Sequence, residues 1–142
     1  MTFNPWRWLR SQPDVTLEWV PSLPEVSRYY PDDEAVLMRT GLDQVTRRCS
    51  IAHELAHREL GHRRCKSRFT HARQEREAEF YAARMMVDIE ALVVVMPWAT
   101  CLEEAAEELW VDVPMLEARL SRLSVDEQAA LNGASARKDE AA

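Results

Sequence analysis

The chain has 142 residues, 46% of them hydrophobic and 30% charged, with a formal net charge of −6. This length can bury a core without covalent staples, and the composition excludes a disordered or membrane-embedded chain. The acidic balance argues against nucleic acid as a partner held by bulk electrostatics.

Residues 1–13, with Pro5 and Pro13, read as an irregular or short helical lead-in, and they lack the charged-then-apolar layout of a signal peptide. Residues 15–20, Val-Thr-Leu-Glu-Trp-Val, are β-branched and aromatic and stop at Pro21, which predicts a strand. Pro21, Pro24 and Pro31, with Asp32 and Asp33, mark a loop, and a further strand is expected around Tyr29 and Tyr30. Another strand is expected over 34–40, closed by Gly41. Asp43 suits the N-cap of a helix running to about Leu60, where Gly61 stops it. Val45, Cys49, Ala52 and Ala56 give that helix an apolar stripe at three- to four-residue spacing.

Residues 62–71 read as a basic loop, followed by a second long helix from about Ala72 to Val87 with Ala78, Ala82, Met85 and Met86 for packing. Asp88 is expected to cap a short helix that ends before Pro97. Thr100 is expected to cap another over 101–110, and Pro114 to open a last one to about Leu123. The longest apolar run, Ala91 to Ala99, is far too short to cross a bilayer. The segment from Asn132 is small and polar and is expected to be a disordered tail, leaving residues 1–131 as one domain with its core at about 14–123. The five tryptophans, at 6, 8, 19, 98 and 110, are expected as core and staple residues rather than as a peptide-binding cage. Three widely spaced cysteines, Cys49, Cys65 and Cys101, argue for a reducing cytoplasm over a disulfide framework.

Charge is unevenly placed. Seven Lys/Arg residues fall between Arg58 and Arg76, whereas residues 102–117 carry six acids and no base. Such runs are most often solvated faces; the functional alternative is a basic rim that receives an acidic partner surface. Residues 102–123 have a helix-turn-helix cadence, but their acidity speaks against DNA contact and for packing or substrate docking.

The chemistry concentrates at His53-Glu54-Leu55-Ala56-His57, an HExxH pattern that chance places in roughly one chain of this length in a few hundred. Residues four apart share a helical face, so His53 and His57 can address one metal ion from successive turns. Glu54 is placed to take a proton from water that such an ion activates. A catalytic zinc takes three protein ligands. In the HExxHxxGxxH class the third histidine would fall on Arg63 and the glycine on Leu60, so that class is excluded. The remaining candidates are His62, His71, Glu75, Glu77, Glu79 and Cys65. Glu75 and Glu79, four apart, suit one carboxylate on the metal and the other on the free N–H of a ligand histidine, and spacing favours Glu75. Glu79, His62 and His71 are the candidates for supporting the ligands. His62, His71, Tyr29, Tyr30 and Tyr81 are the candidates for stabilising a transition-state oxyanion. Cys49 lies one turn before His53; a small buried apolar residue is the better reading than a thiol at the metal, by about four to one.

The run Arg47 to His62, arginine-rich before HExxH and ending in Leu60-Gly61-His62, resembles the signature helix of the ImmA/IrrE family of bacterial and phage metallopeptidases. The run Glu75 to Val87 resembles the family's E-x-x-A-[DN]-x-F-A-A-x-L-L-M-P, with Glu79 in place of the Asp or Asn and Asp88 in place of the proline. The resemblance covers about residues 14–123. It implies a small zincin-like α+β fold, a short N-terminal β-sheet packed on the HExxH helix and on a second helix bearing the glutamate, with a helical C-terminal part. It implies zinc on His53, His57 and Glu75, with Glu54 as general base, although such a donor set does not enforce zinc over Mn²⁺ or Fe²⁺. It also implies a cytoplasmic endopeptidase that cleaves a helix-turn-helix transcriptional repressor and so derepresses a mobile element, prophage or stress regulon. No membrane and no direct nucleic-acid partner are expected. The competing reading is a non-catalytic, metal-stabilised module that sequesters a repressor or toxin.

Overall fold

Turn chemistry and apolar alternation cut the N-terminal third of the chain into short strands, and helical periodicity takes over after Gly41. A computed structural model describes residues 3–141. Its elements are α1 (Pro5–Arg10), β1 (Thr16–Val20), β2 (Ser27–Tyr30), β3 (Ala35–Arg39), α2 (Gln44–Glu59), α3 (Arg68–Met86), α4 (Ile89–Val95), α5 (Leu102–Leu109), α6 (Val113–Ser121) and α7 (Val125–Ala141). The architecture is α+β, with a small sheet on one side of α2 and helices on the other.

The sheet order is β1-β3-β2, with β3 parallel to β1 and antiparallel to β2. Val36 and Met38 of the central strand are fully buried with Ile51 and Leu55 of α2. Ser27 pairs with Met38 across the ladder, and the Arg39 N–H donates to the Val26 carbonyl at 2.9 Å. Antiparallel hydrogen bonds alternate, so the N–H and C=O of Ser27 and Tyr29 face away from β3, along the open edge of β2.

Helix α2 serves three surfaces. Ile51 and Leu55 meet the sheet. Cys49, Ala52 and Ala56 meet Ala78 and Ala82 of α3, and the alanines are fully buried. The third stripe carries His53, Glu54 and His57. Small residues at the α2–α3 contact let the two backbones come close, which brings α3's polar side chains within reach of that stripe. Asp43 caps α2 by accepting from the Thr46 N–H at 2.7 Å. The other end closes in a Schellman turn. Gly61, at φ +67°, donates to the Arg58 carbonyl, and His62 donates to the His57 carbonyl, each at 3.0 Å.

Several expectations are corrected. Ser67 accepts from the Thr70 N–H and starts α3 at Arg68, so part of the expected basic loop is helical. Cys101, not Thr100, occupies the N-cap of α5, and Thr100 bonds to Glu104 instead. The expected tail from Asn132 is the second half of α7 as far as the described residues reach. Ser124 and Glu127 form a reciprocal capping box at its start, each backbone N–H donating to the other's side chain at 3.1 Å. Leu131 and Ala134 then bury one narrow stripe of that helix, which packs on α4. Arg119, only 3% exposed, donates to the Val87 carbonyl at 2.6 Å and pairs with Glu127. Three of the tryptophans are not core residues: Trp19, Trp98 and Trp110 stand 45–64% exposed. Arg48 lies over Trp110 and Lys138 over Trp98. No helix among the described residues is long and apolar enough to cross a membrane.

Candidate metal centre

Two turns of α2 point His53 and His57 into one cleft, and α3 delivers Glu75 to the same point. His53 Nε2 lies 3.0 Å from Glu75 Oε2, His57 Nε2 lies 3.1 Å from Glu75 Oε1, and the two Nε2 atoms are 3.2 Å apart. Ligand atoms of the three residues all lie within 4.8 Å of one another. A tetrahedral zinc with bonds of about 2.0–2.1 Å sets its ligand atoms about 3.3 Å apart. Each facing pair of donor atoms therefore stands close to the separation zinc ligands require, with the two histidines meeting different oxygens of Glu75.

The chemistry of the set agrees. Two imidazole lone pairs and a carboxylate repel one another unless a shared cation, a proton or a metal, lies between them. Hydrogen bonds from His53 and His57 hold the Glu75 carboxyl far below the usual carboxylate range. Burial alone would depress His53, but the hydrogen bond to Glu75 and the charges of Glu54, Glu75 and Glu79 outweigh it and raise its pKa.

Behind the cluster, His57 Nδ1 meets His62 Nδ1 at 2.9 Å, and His62 Nε2 meets Glu77 Oε2 at 3.0 Å. Beside it lies Glu54, buried, whose Oε1 accepts from the Ser27 hydroxyl at 2.7 Å. Ser27 had no sequence signal, since it comes from β2, half the sheet away in sequence. Glu77 appeared in the sequence only as a candidate ligand, and the structure sets it against His62 instead.

Glu79 lines the cleft, and burial raises its pKa; no hydrogen bond joins it to His53 or His57 among the described residues. His71 lines the same cleft and likewise makes no hydrogen bond to the ligand residues among those described. Of the aromatic candidates, Tyr81 packs on Trp8 with ring centroids 6.1 Å apart, and Tyr30 carries the guanidinium groups of Arg28 and Arg64 over its ring. Tyr29 lines the cleft, and burial raises its hydroxyl pKa. Cys49 is buried and accepts from the Asp112 N–H at 3.4 Å. Burial pushes its thiol up to about 12, and it packs in the core with Ala52 and Ala56. Cys65 is exposed at the rim.

The cleft measures about 540 Å³ and is walled by β2 on one side and by α2 and α3 on the other. A family model described as Peptidase_M78, IrrE N-terminal-like domain, matches residues 24–131, from the turn before β2 into α7. No curated protein and no solved structure matches the chain.

Proposed function

The chain belongs to the IrrE N-terminal-like family of M78 peptidases, and on that premise we propose that it is a zinc-dependent endopeptidase acting on a helix-turn-helix transcriptional repressor. The observation that carries the peptidase reading is a buried carboxylate, Glu54, standing beside two imidazoles and a carboxylate whose ligand atoms lie within 4.8 Å of one another. His53 and His57, through Nε2, and Glu75 would hold the metal. Zinc, when bound there, supplies a Lewis acid for the scissile carbonyl and makes a water acidic near neutral pH.

The protein's own groups account for the remaining steps. Ser27 donates to Glu54 Oε1 and fixes the orientation of that carboxylate, leaving Oε2 to accept a proton from the attacking water. The same carboxyl returns the proton to the departing amine. The backbone N–H and C=O groups of Ser27 and Tyr29, facing outward along the β2 edge, offer hydrogen bonds to an extended substrate segment. The repressor as substrate rests on the family resemblance of the two motif helices.

The test uses the zinc-loaded protein and Glu54→Gln, each incubated with candidate helix-turn-helix repressors of the same genome and each expressed beside them in cells. Cleavage by the wild type and none by the variant is the expected result. If both leave every candidate intact in both settings, the peptidase reading fails. If Glu54→Gln keeps the full biological effect, the sequestering module takes its place.

A further inference from the structure

We propose that His62 and Glu77 form a positioning relay that fixes the tautomer and orientation of His57 and so sets the affinity of the metal centre. The inference rests on the reading of His53, His57 and Glu75 as a zinc site. An imidazole gives a metal the lone pair of one nitrogen only if its proton sits on the other, and that N–H needs an acceptor. For His57 the metal-facing nitrogen is Nε2, so the proton belongs on Nδ1, where His62 Nδ1 waits at 2.9 Å.

His62 can accept there only if its own proton is on Nε2. Glu77 Oε2 lies 3.0 Å from that atom, and an ionised carboxylate only accepts. With a metal on His57 Nε2, one neutral arrangement satisfies both contacts behind the ring: His57 Nδ1–H donates to His62 Nδ1, and His62 Nε2–H donates to Glu77. The opposite arrangement puts the proton on His57 Nε2, where it blocks the metal, and turns a His62 lone pair toward the carboxylate. Both residues are only 9% exposed, so water cannot easily substitute for either partner.

Two further features hold the relay. The turn at Gly61 ties the His62 backbone N–H to the His57 carbonyl at 3.0 Å, so His62 is joined to His57 through main chain and ring alike. At the far end, Arg73 Nε lies 3.7 Å from Glu77 Oε1, one helical turn earlier on α3. His53 has no comparable partner behind its ring among the described residues, so the two ligand histidines are supported unequally.

The experiment measures Zn²⁺ affinity by chelator competition for the full chain, Glu77→Ala and Glu77→Gln. It adds the visible spectrum of each protein loaded with Co²⁺, and thermal unfolding of each without metal. Partners of this kind change metal affinity by about 10- to 100-fold when removed. Glu77→Ala is expected to lose that much and to shift the Co²⁺ bands, with metal-free unfolding unchanged. Glu77→Gln, which keeps an acceptor oxygen, should recover part of the loss. Affinity for Glu77→Ala within threefold of wild type overturns the relay. So does a loss that Glu77→Gln shares in full together with a lowered metal-free melting temperature. A wild type that binds no zinc overturns the metal site itself, and the relay with it.

Discussion

Glu75→Ala, with Glu79→Ala as its control, separates the two carboxylates that share a face of α3. Glu75 meets both histidines, through Oε2 at 3.0 Å and Oε1 at 3.1 Å, whereas Glu79 bonds to neither. Structural zinc sites with four ligands bind with about 10–16 kcal/mol, so one ligand is worth roughly 3 kcal/mol, about a hundredfold in affinity. Glu75→Ala should lose at least that, and Glu79→Ala should stay within about threefold of wild type. A second effect belongs to the metal-free protein. The Glu75 carboxyl is lowered from 4.5, so its contribution to stability is present above pH 4.5 and lost as pH falls below it. His53 is raised from 6.5, so its contribution is full below pH 6.5 and lost as pH rises through the raised value. The two overlap near pH 5.5. There Glu75→Ala should cost on the order of 1 kcal/mol, a figure kept small because Glu75 is half-exposed and solvent screens it. The cost should shrink by pH 8.5. Chelator competition and thermal melts in EDTA at the two pH values provide the assay. Zinc binding undiminished in Glu75→Ala but lost in Glu79→Ala would refute the assignment.

Ala82 is fully buried where α3 meets α2, so Ala82→Leu should destabilise by about 1–3 kcal/mol through overpacking. It should weaken zinc binding as well, because the wedge separates Glu75 from the histidines; denaturant melts and zinc titration on one sample check both, and unchanged zinc affinity would contradict the packing argument. The hydrogen bond from Arg119 lowers Glu127 to about 2. Stability from that pair is therefore present above the ordinary value of 4.5 and lost between there and about pH 2. Glu127→Gln strands a buried guanidinium and should cost on the order of 3 kcal/mol at neutral pH. Its melting temperature should also fall less steeply than the wild type's across that acid window.

The short-range features of this protein are written in its sequence. Four-residue spacing puts His53 and His57 on one face, Asp43 and Gly61 bound the helix that carries them, and proline and glycine punctuate strands found within a residue or two of their expected ends. Even the start of α7 has a local signature in Ser124 and Glu127, although only the burial of Leu131 and Ala134 explains why so polar a helix persists. Glu75, Glu77 and Glu79 lie two residues apart on one helix, and periodicity alone favours Glu75 without saying what the others meet. The approach of α3 to α2 decides that, and it depends on Ala52 and Ala56 lying against Ala78 and Ala82. That contact sets Glu75 at the two histidines, turns Glu77 to His62, and leaves Glu79 on the cleft wall. Ser27 reaches Glu54 only because β2 takes the sheet edge beside α2. A sequence fixes which side chains share a face, because that follows from the pitch of one helix; which faces meet depends on packing between elements far apart in the chain.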